Sequence, residues 1–384
     1  MRILHIAKSQ HIAGAENYLF ELLPRLVQRG YEVHLMNLYD LTTGEKSQSY
    51  ETELERLQNA GVRIHRDSVR HKLDVASVPR IRKVVETVQP TVVHTHMPYA
   101  DLFGAMAARW AGFGPIISSR HHDYSFSWKE KTRFLSWYMV ANRFLDGILP
   151  VSERVASLAV NHEGWDEANI QVIHHGCEEE LVDHDESRAM LTEKFGIPSN
   201  SFVVGTVARL IHWKGHRYAV EALRQLLINE HRVHWLFIGD GPEREKLQNQ
   251  AQKAEVSNNL HFLGHRNDVP QLLSGVDLMV HPTTGEAFGI VLIEAMAQGT
   301  PILASNTGAI PEIVVDGETG VLVPSRNANA LAHEIELLKG DPQTRSDLGQ
   351  LARKRYLTHF TPESMVDETI RAYQRVIDGS TSSR

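Results

Sequence analysis

The sequence holds a single cysteine, Cys177, which excludes an intrachain disulfide and any cysteine-built zinc site. That usage fits a reducing compartment. It also lacks an excess of positive charge: 47 acidic residues against 40 basic ones leave a net charge of −7. A protein that lives on nucleic-acid phosphates normally needs a basic surface, so no nucleic-acid partner is expected. No run of about 18 apolar residues occurs, so no membrane-spanning helix is predicted. The opening MRILHIAKSQ passes straight into strand-like sequence, without an apolar segment and a small-residue cleavage site. That pattern predicts no signal peptide and a cytoplasmic protein, and leaves room for peripheral contact with the inner face of the membrane. Two nucleotide signatures are missing as well: there is neither a G-x-G-x-x-G dinucleotide loop nor a Walker-type GK[ST] loop. No solenoid-type repeat is visible.

What is present is a long alternation of short apolar runs and amphipathic stretches. At 384 residues the chain has the length of two domains. Strands are predicted at 3–7, 32–38, 62–65, 92–96, 116–119, 148–151 and 171–173, mostly separated by helix-length segments. The acidic stretch CEEELVDHDESRAM reads as a linker leading into a helix. A second series follows at 202–207, 234–238, 261–263, 278–281, 301–304 and 320–323. Strand–helix alternation predicts parallel, doubly wound sheets, so the fold class is α/β with two Rossmann-like domains. The expected boundaries are 1–177 and 178–362. Ligands of open α/β sheets sit beyond the carboxyl ends of the strands, so the segments that follow strands deserve the closest reading.

In HPTTGEAFGIVLIEAMAQGTP a strand ends near Pro282, and a helix is predicted from about Phe288 to Gln298. Glu286 then stands just ahead of the helix and Glu294 on its second turn, roughly 12 Å apart at about 1.5 Å rise per residue. The amides near Gly289 form an open helix N-terminus, which suits an anion. The order carboxylate, anion cradle, carboxylate matches the sugar hydroxyls, diphosphate and ribose hydroxyls of a nucleotide sugar. Two solvated glutamates on a surface helix are the competing explanation, because this spacing is common by chance. In FVVGTVARLIHWKGHRYAVEAL a buried strand leads to Arg209 and then Lys214 before the next helix. Two cations there can neutralise a diphosphate, the arginine by bidentate contact and the lysine as a compact charge. Ordinary exposed bases are the alternative.

Three further segments are weaker. Ala13-Gly14 after the first strand allows close backbone approach to a ligand, but a plain strand–helix turn explains it as well. VVHTHMP, with His94 and His96, and SSRHHDYS, with His121, His122 and Asp123, have spacings seen among metal ligands. No further ligand set completes a site, and 22 histidines make chance clusters common, so no metal is expected. His122 reads better as a polar contact at a cleft. WKEKTRFLSWYMVANRF mixes aromatic and basic residues in a pattern that could serve an anionic membrane or an acceptor. Packing of Phe134, Leu135, Tyr138 and Phe144 into the core explains the same periodicity.

Taken together these segments resemble the retaining GT-B glycosyltransferases of glycosyltransferase family 4, over nearly the whole chain. The most specific part is GDGPEREKL followed by LGHRNDVPQLLSGVDLMVHPTTGEAFGIVLIEAMAQGTPILASNTGAIPEIVVDGETGVLVP, with VSE at 151–153 and RLIHWKG in support. The resemblance implies two Rossmann-like domains facing a central cleft, with a last helix at about 363–384 crossing back to the first. It implies transfer of a sugar from a nucleoside-diphosphate sugar, UDP-linked or GDP-linked, to a saccharide or lipid-linked acceptor. Neither a cofactor nor a metal is implied. Arg209 and Lys214 resemble the pair that binds the donor diphosphate, Glu286 the acid that contacts the donor sugar, and Glu294 the one that holds the ribose. Gly14, Phe288, Gly289, Ile290 and Arg266 fall among the donor-binding positions, and His122 resembles the histidine that faces the sugar. The chain departs from the pattern at Ala13, at Ala287 and at His175, and no role is carried onto His175. A GT-B sugar-nucleotide 2-epimerase, a catalytically silent sugar-nucleotide-binding partner, and a dinucleotide-dependent redox enzyme are the competing functions.

Overall fold

A computed structural model describes residues 1–12, 14–41, 48–71, 73–124, 128–180, 182–228 and 232–382, without the side chains of 128–131 and 380–382. The chain forms two compact units, Met1–Gly176 with Pro362–Arg384, and Cys177–Thr361. The first unit carries strands β1 (Arg2–Lys8), β2 (Glu32–Asp40), β3 (Arg63–Val69), β4 (Val92–His96), β5 (Ile116–Arg120) and β6 (Gly147–Pro150). The second carries β7 (Phe202–Val207), β8 (Val233–Ile238), β9 (Leu260–Gly264), β10 (Leu278–His281), β11 (Ile302–Asn306) and β12 (Val321–Pro324).

Both sheets are parallel, with orders β3-β2-β1-β4-β5-β6 and β12-β11-β10-β7-β8-β9. Each order reverses direction at one point, between β1 and β4 and between β7 and β10. Crossover helices leave in opposite directions there, which opens a crevice at the carboxyl ends of those two strands. The central strands are buried because helices cover both faces, as in β7, where all six residues are buried.

In the first unit, alternate residues of β1 enter two different cores. Leu4 and Ile6 pack with Val78, Ile81, Phe103 and Ala107. Ile3 and Ala7 face the helix Gly14–Gln28 and the last helix, Pro362–Ser382, through Leu22, Leu23, Val366 and Tyr373. Arg25 and Arg29 of the first helix pair with Glu363 and Asp367 of the last, at 3.2 and 2.6 Å.

The second face also buries a column of imidazoles. Register places His5 of β1 beside His94 of β4, and His96 lies on the same face two residues on. His5 Nδ1 lies 3.0 Å from His96 Nε2, and His94 bridges Tyr373 OH at 2.8 Å and Ser119 Oγ at 2.9 Å. His121 stacks on His96 and meets the His175 ring at a tilt, 5.4 Å between centroids. All five rings are buried, and burial lowers the proton affinity of each.

Two local expectations need correction. Residues 171–173 form no strand: Gln171 and Ile173 donate to the carbonyls of Ile148 and Pro150, and a single bridge joins Ile148 to Ile170. Edge strand β6 ends at Pro150, which has no N–H to return, so the ladder cannot propagate. The helix expected from Phe288 begins at Ile290, because Gly289 has φ of 104°, outside the helical region. The aromatic–basic segment forms the helix Trp128–Ala141, with Tyr138 buried and Phe134 packed against it. Phe144 packs partly buried on the other core, while Met139 and Val140 are exposed. Among the described residues no helix is long and apolar enough to cross a membrane.

The imidazole column sets a pH dependence. Burial depresses His5 and His175 to about 3, whereas unfolded histidine titrates near 6.5. The unfolded chain therefore binds more protons below that value, so stability is full above it and declines as pH falls. At pH 5.5 the loss is about 1.4 kcal/mol for each of these two rings. Denaturant titrations at pH 7.5 and 5.5 check this; equal unfolding midpoints at the two values would contradict it.

Candidate active site

The switch point between β7 and β10 gathers most of the residues singled out in the second half of the sequence. Past β7 the backbone of Ala208–Leu210 is gripped by the loop that follows β8. Ala208 N donates to Ile238 O, Leu210 N to Asp240 O and Glu243 N to Leu210 O, at 2.9–3.0 Å. Gly239 and Gly241 allow that grip, since a Cβ on either would overlap the carbonyl of Ala208 or Leu210. The motif GDGPE thus acts as a brace for Arg209. The Arg209 side chain is exposed and, among the described residues, has no hydrogen-bond or ion-pair partner. It is an uncommitted cation.

Lys214 closes a short turn of 3₁₀ helix, His212–Lys214. The Trp213 carbonyl accepts from Thr284 N at 2.7 Å, from Thr283 Oγ1 at 2.9 Å and from Thr284 Oγ1 at 3.1 Å. These bonds fasten the β7 exit to the β10 exit. Gly215 (φ 75°) packs so closely on Pro282 that a Cβ would overlap its carbonyl oxygen. The result is a contact between residues 72 apart: Lys214 Nζ donates to Glu286 Oε2 at 2.5 Å. On the other side of Glu286, Ala309 N donates to its carbonyl at 3.0 Å, and Gly308 leaves no room for a side chain there.

Burial alone would raise the Glu286 carboxyl, but the Lys214 ammonium and a hydrogen bond from His281 outweigh it and hold it at about 2. His281 Nε2 lies 3.0 Å from Glu286 Oε2. Burial lowers His281, so the ring is neutral. An ionised carboxylate only accepts, which makes Nε2 the protonated nitrogen. Lys214 and His281 therefore converge on one oxygen, Oε2.

Glu294 lies on the helix Ile290–Ala297, on its second turn. It is half-buried, and burial without a countercharge pushes its carboxyl up to about 7. Gly289 caps the helix and Ile290 opens it, so this first turn carries amides with no acceptor inside the helix. Phe288 is buried against Phe360, its ring 6.1 Å away, which leaves only its backbone facing the loop. Arg266 is not brought to this group. It follows β9, the edge strand two places from β7, and forks onto Asp268 at 2.6 and 2.8 Å beside the Phe195 ring.

In the first unit Gly14 is the first residue of the helix Gly14–Gln28; Ala13 lies outside the described residues. His122 follows β5, half-buried against Phe134 at 5.6 Å, and burial with Arg133 nearby lowers its proton affinity. Two residues before it, buried Arg120 donates to Asp101 at 2.7 Å and to Asn142 at 2.8 Å, with Tyr138 4.0 Å beneath its guanidinium. Asp101 sits in a π-helical turn, Ala100–Gly104. Of the residues that shape these sites, His281 and Arg120 were not legible as such, though His281 stands five residues before Glu286. Nitrogens of His5, His94 and His96 lie within 4.8 Å of one another, a spacing open to a metal ion. Five of their six ring nitrogens are already engaged by each other, by Tyr373 and by Ser119, and only the sixth, His96 Nδ1, is buried without a partner among the described residues.

Comparison with known proteins agrees with this geometry. Residues 12–181 match the family described as Glycosyltransferase Family 4, and residues 187–355 match Glycosyl transferases group 1. The alpha-maltose-1-phosphate synthase of Mycolicibacterium smegmatis is 25% identical over 307 residues, 74% of this chain and 79% of its own. The lipopolysaccharide core biosynthesis glycosyltransferase LpsE of Rhizobium meliloti is 29% identical over 174 residues, 45% of this chain and half of its own length. Among solved structures, Anabaena Alr3699/HepE in complex with UDP-glucose superposes with a TM-score of 0.80 at 24% identity, covering 100% of both chains. That likeness establishes the GT-B fold.

The fastening of the two loops predicts a graded effect of substitution. Gly215→Ala and Gly317→Ala both force a side chain onto a left-handed backbone, at φ of 75° and 74°, but only the first meets a neighbour. Gly317→Ala should cost about 1 kcal/mol and Gly215→Ala clearly more, since its Cβ must also displace the Pro282 carbonyl. Denaturant unfolding checks the difference; equal losses would mean the loops are not locked together.

Proposed function

The chain belongs to glycosyltransferase family 4, its second half being a group 1 glycosyl transferase domain, and from that premise we propose that it is a retaining hexosyltransferase using a UDP-sugar. The acceptor is a hydroxyl of a saccharide or lipid-linked glycan, in the synthesis of a cell-surface polysaccharide or glycolipid. The observation that carries the reading is an uncommitted Arg209 beside Lys214, both past the carboxyl end of β7, with Lys214 held to Glu286 past the neighbouring switch strand β10. UDP-glucose in Alr3699/HepE and the lipopolysaccharide role named for LpsE support the choice of donor and acceptor class.

The chemistry follows from where charge builds. As the glycosidic bond to the donor breaks, electrons pass to the bridging oxygen of the diphosphate. The Lys214 ammonium, held on Glu286, and the amides that open the helix Ile290–Ala297 are in place before that charge appears, and Arg209 extends to it from a braced backbone. These groups do the work that a divalent metal would otherwise supply, and the reaction as proposed uses none. Glu286 is not the nucleophile: its Oε2 holds two protein donors, and its remaining oxygen, Oε1, accepts from a donor-sugar hydroxyl. The acceptor attacks from the face the diphosphate leaves, and the departing phosphate takes its proton, so configuration is retained. Glu294 accepts from the ribose hydroxyls. Gly14 and His122 keep the donor contacts implied by the family.

Two outcomes test this. Arg209→Ala and Lys214→Ala each lower sugar transfer by ~10²–10³-fold; Arg209→Ala leaves stability unchanged, whereas Lys214→Ala also lowers it by stranding the Glu286 carboxylate. UDP release from a UDP-sugar with acceptor measures it, and unchanged rates in both variants would remove the diphosphate assignment. Because Glu294 titrates at about 7, its ionised, accepting form fades below that pH. Affinity for UDP-glucose, whose diphosphate diester does not titrate in this range, should weaken by up to about tenfold from pH 8 to 6. Glu294→Gln should show no such slope; a wild-type profile as flat as the variant's would take the ribose role from Glu294.

A further inference from the structure

The Lys214–Glu286 pair leaves one group of the site without a stated purpose. His281 is the last residue of β10, 1% exposed, with its side chain against the Glu286 carboxylate. Its backbone is fixed by parallel pairing with Ala304 of β11, and the carbonyl just before it, on Val280, accepts from Thr206 Oγ1 at 2.8 Å. Thr206 in turn accepts from the buried Trp235 indole at 2.9 Å. The imidazole therefore hangs from an immobile sheet position, whereas Glu286 sits on a loop. A carboxylate has two oxygens and a freely turning terminal bond. Lys214 alone cannot orient it, because an ammonium is a point charge with three equivalent donors on a flexible stem. The imidazole offers a single N–H in a fixed plane. The far side of His281 gives it no other hydrogen-bonding role: among the described residues Nδ1 is buried without a partner, and both nitrogens of the neighbouring buried His216 are unpartnered as well.

We infer that His281 is a positioning residue for sugar transfer, whose Nε2–H holds Glu286 Oε2 and so keeps Oε1 directed at the donor sugar. The inference rests on the proposed donor role of Glu286. It gives the two partners of the carboxylate separate tasks: Lys214 supplies charge, and His281 sets the rotation of the carboxyl plane.

The shape of the side chain provides the test. The amide nitrogen of glutamine reaches about as far from the backbone as Nε2, while that of asparagine matches Nδ1. His281→Gln should keep kcat within about fivefold of wild type. His281→Asn and His281→Phe should lower it by ~10–100-fold, the range expected when a reacting group is displaced by about an ångström. The donor KM should change by less than about threefold throughout. A merely structural histidine would make glutamine and asparagine equivalent, and that result would overturn the inference, as would wild-type kcat in His281→Phe. Imidazole 15N shifts of the whole protein give a readout that needs no turnover. His281 should be the neutral Nε2–H tautomer, and its shift should move in Glu286→Gln. An Nδ1–H tautomer, or a shift blind to Glu286, would overturn the inference even in an active enzyme. Absence of any transfer from UDP-sugars by wild type would instead count against the transferase reading.

Discussion

The contact between Lys214 and Glu286 is what turns two strand exits into one site. Each residue belongs to a loop that has no reason of its own to hold a shape, and the two loops are far apart in the chain. They are joined because the Trp213 carbonyl collects three donors from Thr283 and Thr284, and because Gly215 permits its backbone to touch that of Pro282. With the backbones fixed, the ammonium and carboxylate meet at 2.5 Å in a setting mostly shielded from water, with side chains 19% and 13% exposed. A pair so enclosed is screened by salt far less than a surface pair, and removal of either partner strands the other charge.

That arrangement also sets the charge offered to a ligand. Lys214 and Glu286 largely cancel, so the net positive field at the switch point comes from Arg209 and the opening turn of the helix Ile290–Ala297. Arg209 is free while its backbone is tightly held, a combination that positions a cation without satisfying it. Glu286 and Glu294, alike in sequence, differ sharply in character: one is driven to about 2 by a lysine and a histidine, the other to about 7 by burial alone. Environment, not residue type, separates their roles.

The strands that border the site were legible because parallel central strands are largely apolar runs; β7 and β10 have the bounds the sequence suggested. The absence of a strand at 171–173 was not, because a proline at the edge stops a ladder that the apolar pattern there invites. The presence of Arg209, Lys214, Glu286 and Glu294 near strand ends could be read from spacing and family likeness. Their ionisation could not, since it depends on a hydrogen bond from His281 and on which cation reaches which carboxylate. Arg266 shows the converse: by position it belonged with the donor groups, but Asp268, two residues on, takes its guanidinium. The buried imidazole column was hidden for a similar reason. His94 and His96 announce a shared strand face, but only sheet order brings His5 beside them.

The central claim is that the β7–β10 switch point is where a nucleotide sugar is held. A crystal structure of the protein soaked with UDP tests it most directly. The account predicts the diphosphate against Arg209, Lys214 and the amides of Gly289–Ile290, with the ribose on Glu294. A nucleotide bound elsewhere, with Arg209 still uncommitted and Glu294 untouched, would contradict it.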